Sequence, residues 1–145
     1  MLSRPLFLIC LLALSSSPAV AEIGRIKSTI GDATIERGAT KIAAASGKEL
    51  LPGDWLTTGK DGRMSISFID NTRFAVGPNS RIALSKFEYD RTSQKGSFVT
   101  QVERGSLAVV SGRISKSGRD AMQLRTPESL LGVRGTRFIV QVAAK

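Results

Sequence analysis

The group Arg134-Gly135-Thr136-Arg137 combines residue types and a spacing that suit the recognition of an anion. Gly135 lets backbone approach a ligand closely, Thr136 offers a hydroxyl, and Arg134 and Arg137 each carry a planar fork that matches a carboxylate or a phosphate. A second set, Arg113, Lys116 and Arg119, stands among the glycines and serines of Ser111–Asp120, a composition that suits a loop tracking a polyanion. Each group has a plainer alternative. Gly135 can be a structural bulge with Arg134 paired to one of the chain's own carboxylates, and the Ser111–Asp120 stretch can be a mobile, soluble connector.

Acid–base or calcium chemistry would have to come from Asp54, Asp61 and Asp70. All three fall at turn positions, where a short carboxylate bonds to nearby backbone, so turn capping is the expectation. Gly53, Asp54, Gly59, Asp70 and Asn71 are accordingly read as structural turn residues, with Pro52-Gly53 supplying the chemistry of a type II turn. Trp55 and Leu56 are expected in the core rather than on a sugar-stacking surface. The sequence has no histidine, and its single cysteine is Cys10. The usual ligands for zinc, copper and haem are therefore missing, as is any Ser-His triad, and no metal or cofactor is expected. A carboxylate-dependent cell-wall hydrolase is the weaker alternative to a protein that is not an enzyme.

Met1–Ala21 reads as a secretory signal peptide. Arg4 gives a positive start, Leu6–Leu14 is an apolar run too short to span a bilayer, and Ala19-Val20-Ala21 is a small-x-small cleavage site. Removing those 21 residues from the 145 leaves 124, the size of one domain, residues 22–145. Without Cys10 that domain must be held by packing and sheet hydrogen bonds alone. Its location is expected to be the periplasm, or the medium if it is secreted. The formal net charge of +9 drops by one with Arg4 and still favours acidic partners. The basic residues are spread along the chain, as solvated strand faces would require, and no nucleic-acid site is expected.

The elements that must position these residues are strands. Met64, Ile66 and Phe68 alternate with Arg63, Ser65 and Ser67; Asp70-Asn71 breaks the run; Thr72, Phe74 and Val76 resume it; and Ile82 and Leu84 follow the Gly77–Ser80 turn. Two short strands joined at Gly31-Asp32 precede this meander. Ala39–Glu49 reads as a loop, and Trp55-Leu56 as the centre of a strand. Later, Phe98–Glu103 and Ser106–Val110 read as strands around a tight reversal at Arg104-Gly105, and Met122–Thr126 and Leu130–Val142 close the chain, with Pro127 at a strand end. No stretch keeps a helical period over ten residues. The expected fold is all-β, an antiparallel sandwich or roll-like domain, with a short β-solenoid as the alternative.

These motifs resemble the FecR domain family. Gly53-Asp54-Trp55-Leu56-Thr57-Thr58-Gly59, Asp70-Asn71-Thr72, Pro78-Asn79-Ser80, Gly105-Ser106-Leu107, Thr126-Pro127 and Val133-Arg134-Gly135-Thr136-Arg137-Phe138-Ile139-Val140 follow the family's order, with Asn71 where glycine is usual. The family's best-known members are transmembrane regulators that hold a sigma factor in the cytoplasm and sense a loaded iron transporter. Here the motifs cover the exported β domain alone. The resemblance therefore implies a stand-alone, non-catalytic domain that binds or scaffolds an envelope component, either a protein or an anionic glycan or lipid. A sensor module linked to iron-uptake signalling is the alternative, and the oligomeric state is open.

Overall fold

The computed structural model describes residues 16, 19–135 and 137–144. Most of the signal-peptide reading, and Thr136 of the first basic group, lie outside the described residues. Twelve strands and one helical turn follow in order: β1 (Gly24–Ile30), β2 (Ala33–Arg37), β3 (Thr40–Ala43), β4 (Glu49–Leu50), β5 (Trp55–Thr58), β6 (Arg63–Phe68), β7 (Arg73–Val76), β8 (Arg81–Asp90), β9 (Lys95–Val110), α1 (Ile114–Ser117), β10 (Met122–Arg125), β11 (Leu130–Val133) and β12 (Arg137–Val142). The all-β expectation holds, as a sheet curled into a half-barrel.

One half, the first sheet, runs β4-β1-β6-β7-β9-β12, and the other, the second sheet, runs β3-β2-β5-β8-β9-β10-β11. Every pairing is antiparallel except that of β10 with β9. β1 and β2 are consecutive yet do not pair: β1 joins β6 in the first sheet and β2 joins β5 in the second. Inward residues of both sheets form one core. At its centre Phe68 and Phe74 from the first sheet meet Phe87 and Phe98 from the second, with ring centroids 4.7 to 5.8 Å apart in stacked and edge-on pairs. The curl does not close. Leu131, Val140 and Val142 border an open mouth of about 640 Å³.

The meander is as the alternation requires. Asn71 N–H donates to Phe68 C=O, Phe68 N–H donates to Thr72 C=O, and Asn71 has φ +70°, which makes Ile69-Asp70-Asn71 a three-residue hairpin loop ending in a left-handed residue. That geometry explains how asparagine serves where glycine is usual. Leu51–Asp54 is the expected type II turn, closed by Asp54 N–H on Leu51 C=O with Gly53 at φ +87°.

Four expectations need correction. Arg104-Gly105 is no reversal, because β9 runs through it as one strand of 16 residues. Its first part pairs with β8 and β10, and its last six residues with β7 and β12. Gly105, at φ +93°, is the bend that carries the chain from one sheet to the other, and a Cβ there would drive into the backbone and side chain of Ser80. Ala39–Glu49 is not simply a loop: it contributes β3, whose one inward side chain is Ile42, and the start of the two-residue β4. Trp55 is half-buried on the outer face of β5, opposite to buried Leu56, with the Arg81 guanidinium 4.2 Å over its ring. Ser111–Asp120 is anchored, with Ile114 and Ser115 of α1 fully buried.

Gly105→Ala forces a side chain into both a left-handed backbone and the space of Ser80. It is expected to cost about 2–4 kcal/mol, read as a lower urea midpoint with little change in m-value.

Candidate functional site: a basic sheet face

The two basic groups singled out in the sequence come together in part. Gly135 lies in the connection between β11 and β12, at φ +59° rather than in a strand bulge, and its N–H donates to Ser115 Oγ of α1 at 3.3 Å. Lys116 Cγ and Cε lie 3.9 Å from where a Gly135 Cβ would be. Lys116 and Arg134 thus share one exposed corner, and neither makes an ion pair among the described residues. Arg113 and Arg119 are exposed on either side of α1, while Arg137 opens β12 on the outer side of the first sheet.

This corner is held by Asp70, which is fully buried. Its carboxylate accepts from Thr72 N–H at 3.0 Å, Thr72 O–H at 2.8 Å and Ile114 N–H at 3.2 Å, and its own carbonyl accepts from Arg113 N–H at 2.8 Å. Thr72 Oγ in turn accepts from Gly112 N–H at 3.0 Å. One aspartate therefore closes the β6–β7 hairpin and pins the chain that leaves β9. Asp54 does comparable work elsewhere: it takes a bidentate fork from Arg37 at 2.8 and 2.9 Å and Leu51 N–H at 2.9 Å. The Asp54 carboxylate holds the Arg37 guanidinium above its usual pKa. Asp61 sits exposed in the β5–β6 turn. Asp54 and Asp70 serve separate structural partners, and the described residues contain no group of three metal-ligating side chains.

Sequence reasoning passed over the outer face of the first sheet. Across it, Ser28, Ser65, Ala75, Ala108 and Ile139 stand in one register row, and Ser67, Arg73, Val110 and Arg137 in the next. A register shift after Ile26 turns Lys27 out beside the second row. Lys27, Arg73 and Arg137 fall on β1, β7 and β12, with one strand between each and the next, so successive stems stand about 10 Å apart. Short side chains form the floor between them, leaving shallow concavities of about 540 and 390 Å³, the second bounded by Arg63. β1, β6, β7, β12 and the Gly105–Val110 half of β9 contain no aspartate or glutamate at all. Arg25 is neutralised from outside these strands, by Glu22 at 2.7 Å and Glu49 at 3.3 Å. Lys27, Arg63 and Arg73 have no ion pair among the described residues.

On the second sheet, by contrast, two of the cations meet acids. Arg81 bonds Glu36 and Glu103, both at 2.8 Å, and Lys86 approaches Glu88 at 4.0 Å. The Arg81 hydrogen bond holds the Glu36 carboxyl below the usual glutamate range, and Glu36 raises Arg81 in return. Asp90 is lowered by the turn N–H groups of Thr92 and Ser93.

The family model described as FecR protein matches residues 54–145, and the chain belongs to that family. Its proteins are envelope-associated and act in signalling and regulation rather than catalysis. The chain has no significant match among curated proteins. None is found among solved structures. No helix among the described residues is long and apolar enough to cross a membrane. The matched segment opens at Asp54, so β1 to β4 precede it, yet β1 and β2 are paired within the same two sheets.

Asp70→Ala leaves three buried donors without an acceptor. It is expected to cost about 2–4 kcal/mol, and hydrogen exchange at Gly112–Ile114 should accelerate more than at β5. Glu36 binds its proton less tightly in the folded chain than in the unfolded chain. The stability it contributes is therefore complete above the usual glutamate range and is lost as pH falls through the lowered folded value. Urea midpoints followed from neutral to acid pH should fall less steeply in Glu36→Gln than in the parent.

Proposed function

We propose that this protein is an exported, non-catalytic regulatory module that binds an anionic component of the cell envelope, and that the outer face of the first sheet takes the ligand. One observation carries this reading: of five neighbouring strand segments, four carry cations and none carries an acid. A neutral solvated face would intersperse both signs, as the second sheet does. FecR membership supports the regulatory role, and the sequence features of Met1–Ala21 support export to the periplasm.

The form of the face favours an extended anionic polymer, such as an acidic glycan, over a folded protein partner. Its floor of Ser65, Ser67, Ala75 and Ala108 offers no aromatic anchor of the kind that dominates protein interfaces. Cations on alternate strands instead line a path that crosses the strands, along which successive negative charges can each find a partner. The corner formed by Lys116 and Arg134 is the competing location, because its cations are equally exposed.

The test is binding of the purified protein to heparin, lipopolysaccharide and peptidoglycan fragments across a salt series. Arg73→Ala and Lys27→Ala are each expected to weaken saturable binding roughly 5- to 30-fold at physiological ionic strength, with Lys116→Ala and Arg134→Ala near parental. The reverse pattern would move the site to the α1 corner. Binding to every probe that vanishes with salt, whatever the variant, would overturn the reading and leave a merely solvated surface.

A further inference from the structure

One edge of the first sheet is β4 and the other is β12, which pairs with β9 and with no other described strand. The direction of its free backbone groups follows from its neighbours. Gly77 N–H donates to Ser106 C=O at 3.0 Å, so Ser106, Ala108 and Val110 turn their main chain toward β7, and Leu107 and Val109 turn theirs toward β12. The partners of those two residues, Val140 and Phe138, face β9 in return. Ile139 and Gln141 therefore direct N–H and C=O groups to the open edge.

Such an edge is normally guarded by lysine, proline, a bulge or shortness. β3 carries Lys41, β4 has two residues, and β11 has four with Gly132 among them. β12 has six residues in regular register, Arg-Phe-Ile-Val-Gln-Val, with no proline, glycine or lysine, and its Ile139 is 71 % exposed.

We propose that β12 is a dimerisation edge: a second copy of this chain adds antiparallel through its own β12, with Ile139 on the twofold axis. Side chains alternate along a strand, so a sheet continuing through a twofold axis must oppose residues of the same face. Centring on Ile139 meets that condition and makes Ile139 with its own mate a pair bonded through the outward N–H and C=O groups. It opposes two exposed isoleucines and sets Arg137 against Gln141 of the second copy, a cation against an amide. The other registers are poorer. Centring on Arg137 opposes two arginines, and centring on Gln141 sets Ile139 against Ala143, beyond the end of the strand. Centring on Phe138 opposes Ile139 to Arg137, and centring on Val140 opposes it to Gln141. The dimer also joins two basic faces into one surface, although the proposal stands independently of what that surface binds.

Sedimentation velocity of the protein, purified after expression of the full coding sequence, is expected to show a monomer–dimer equilibrium. Gln141→Arg opposes arginine to arginine twice per dimer and should raise the dimer Kd roughly tenfold; Gln141→Glu should lower it by a similar factor; and Arg137→Glu with Gln141→Arg should restore it toward parental. Near-ultraviolet circular dichroism checks that each variant is folded. A monomer at every concentration up to the solubility limit would overturn the proposal and leave the edge to a strand from a different protein. A dimer whose Kd ignores the sign of the charge at position 141 would overturn it too, by placing the contact on another surface.

Discussion

Continuity of the main chain through Gly105 is the constraint on which the rest of this structure depends. β9 lies inside both sheets, flanked by β8 and β10 before the bend and by β7 and β12 after it. Its inward residues Phe98 and Val102 belong to one wall of the core, and Leu107 and Val109 to the other. Because the same strand supplies hydrogen bonds to both walls, neither sheet can lose its register without pulling on its counterpart. The domain achieves this without a disulfide. Gly105 gives the positive φ and Ser80 fills the angle, its hydroxyl accepting from Ser106 N–H at 3.0 Å.

That same bend shows where local reading of a sequence reaches its limit. Arg104-Gly105 has the residue chemistry of a hairpin turn, and what makes it a bend is contact with Ser80, 25 positions away. By contrast β6 and β7, and the loop between them, were legible because alternation and turn chemistry are both local properties. The β3 strand was missed because only Ile42 of its four side chains packs inward, too little to set a period. Trp55 is expected in the core because it follows a turn and adjoins Leu56, yet alternation puts the two on opposite faces. The division of β1 and β2 between sheets was not legible at all, since partner choice is decided by β6 and β5 further along the chain.

For the candidate site, the sequence displayed the individual cations but not their company. Arg73 and Arg137 were visible as outward strand residues, and the α1 cations as a cluster among small polar residues. What was hidden is that strands far apart in sequence, all lacking acids, assemble side by side. A usable signal existed in the chain itself: β2, β8 and β9 around Arg81 carry Glu36, Glu88 and Glu103, while β1, β6, β7 and β12 carry no glutamate. Asp70, read in the sequence as a turn residue, has its carboxylate engaged both in the hairpin and with the chain that follows β9, a long-range partner that local turn chemistry does not display.

The unequal treatment of charge on the two sheets gives the molecule a polarity through its thickness. One broad side presents Lys27, Arg63 and Arg73 without ion pairs among the described residues, and the other carries the ion pairs around Arg81. A body of that kind experiences a torque, as well as an attraction, when it nears a negatively charged wall. Within roughly a Debye length, about 8 Å at physiological ionic strength, it turns its first sheet toward the wall before any side chain makes contact. Orientation would then precede recognition, leaving the second sheet, with its stacked Trp55 and Arg81, turned back toward the solvent.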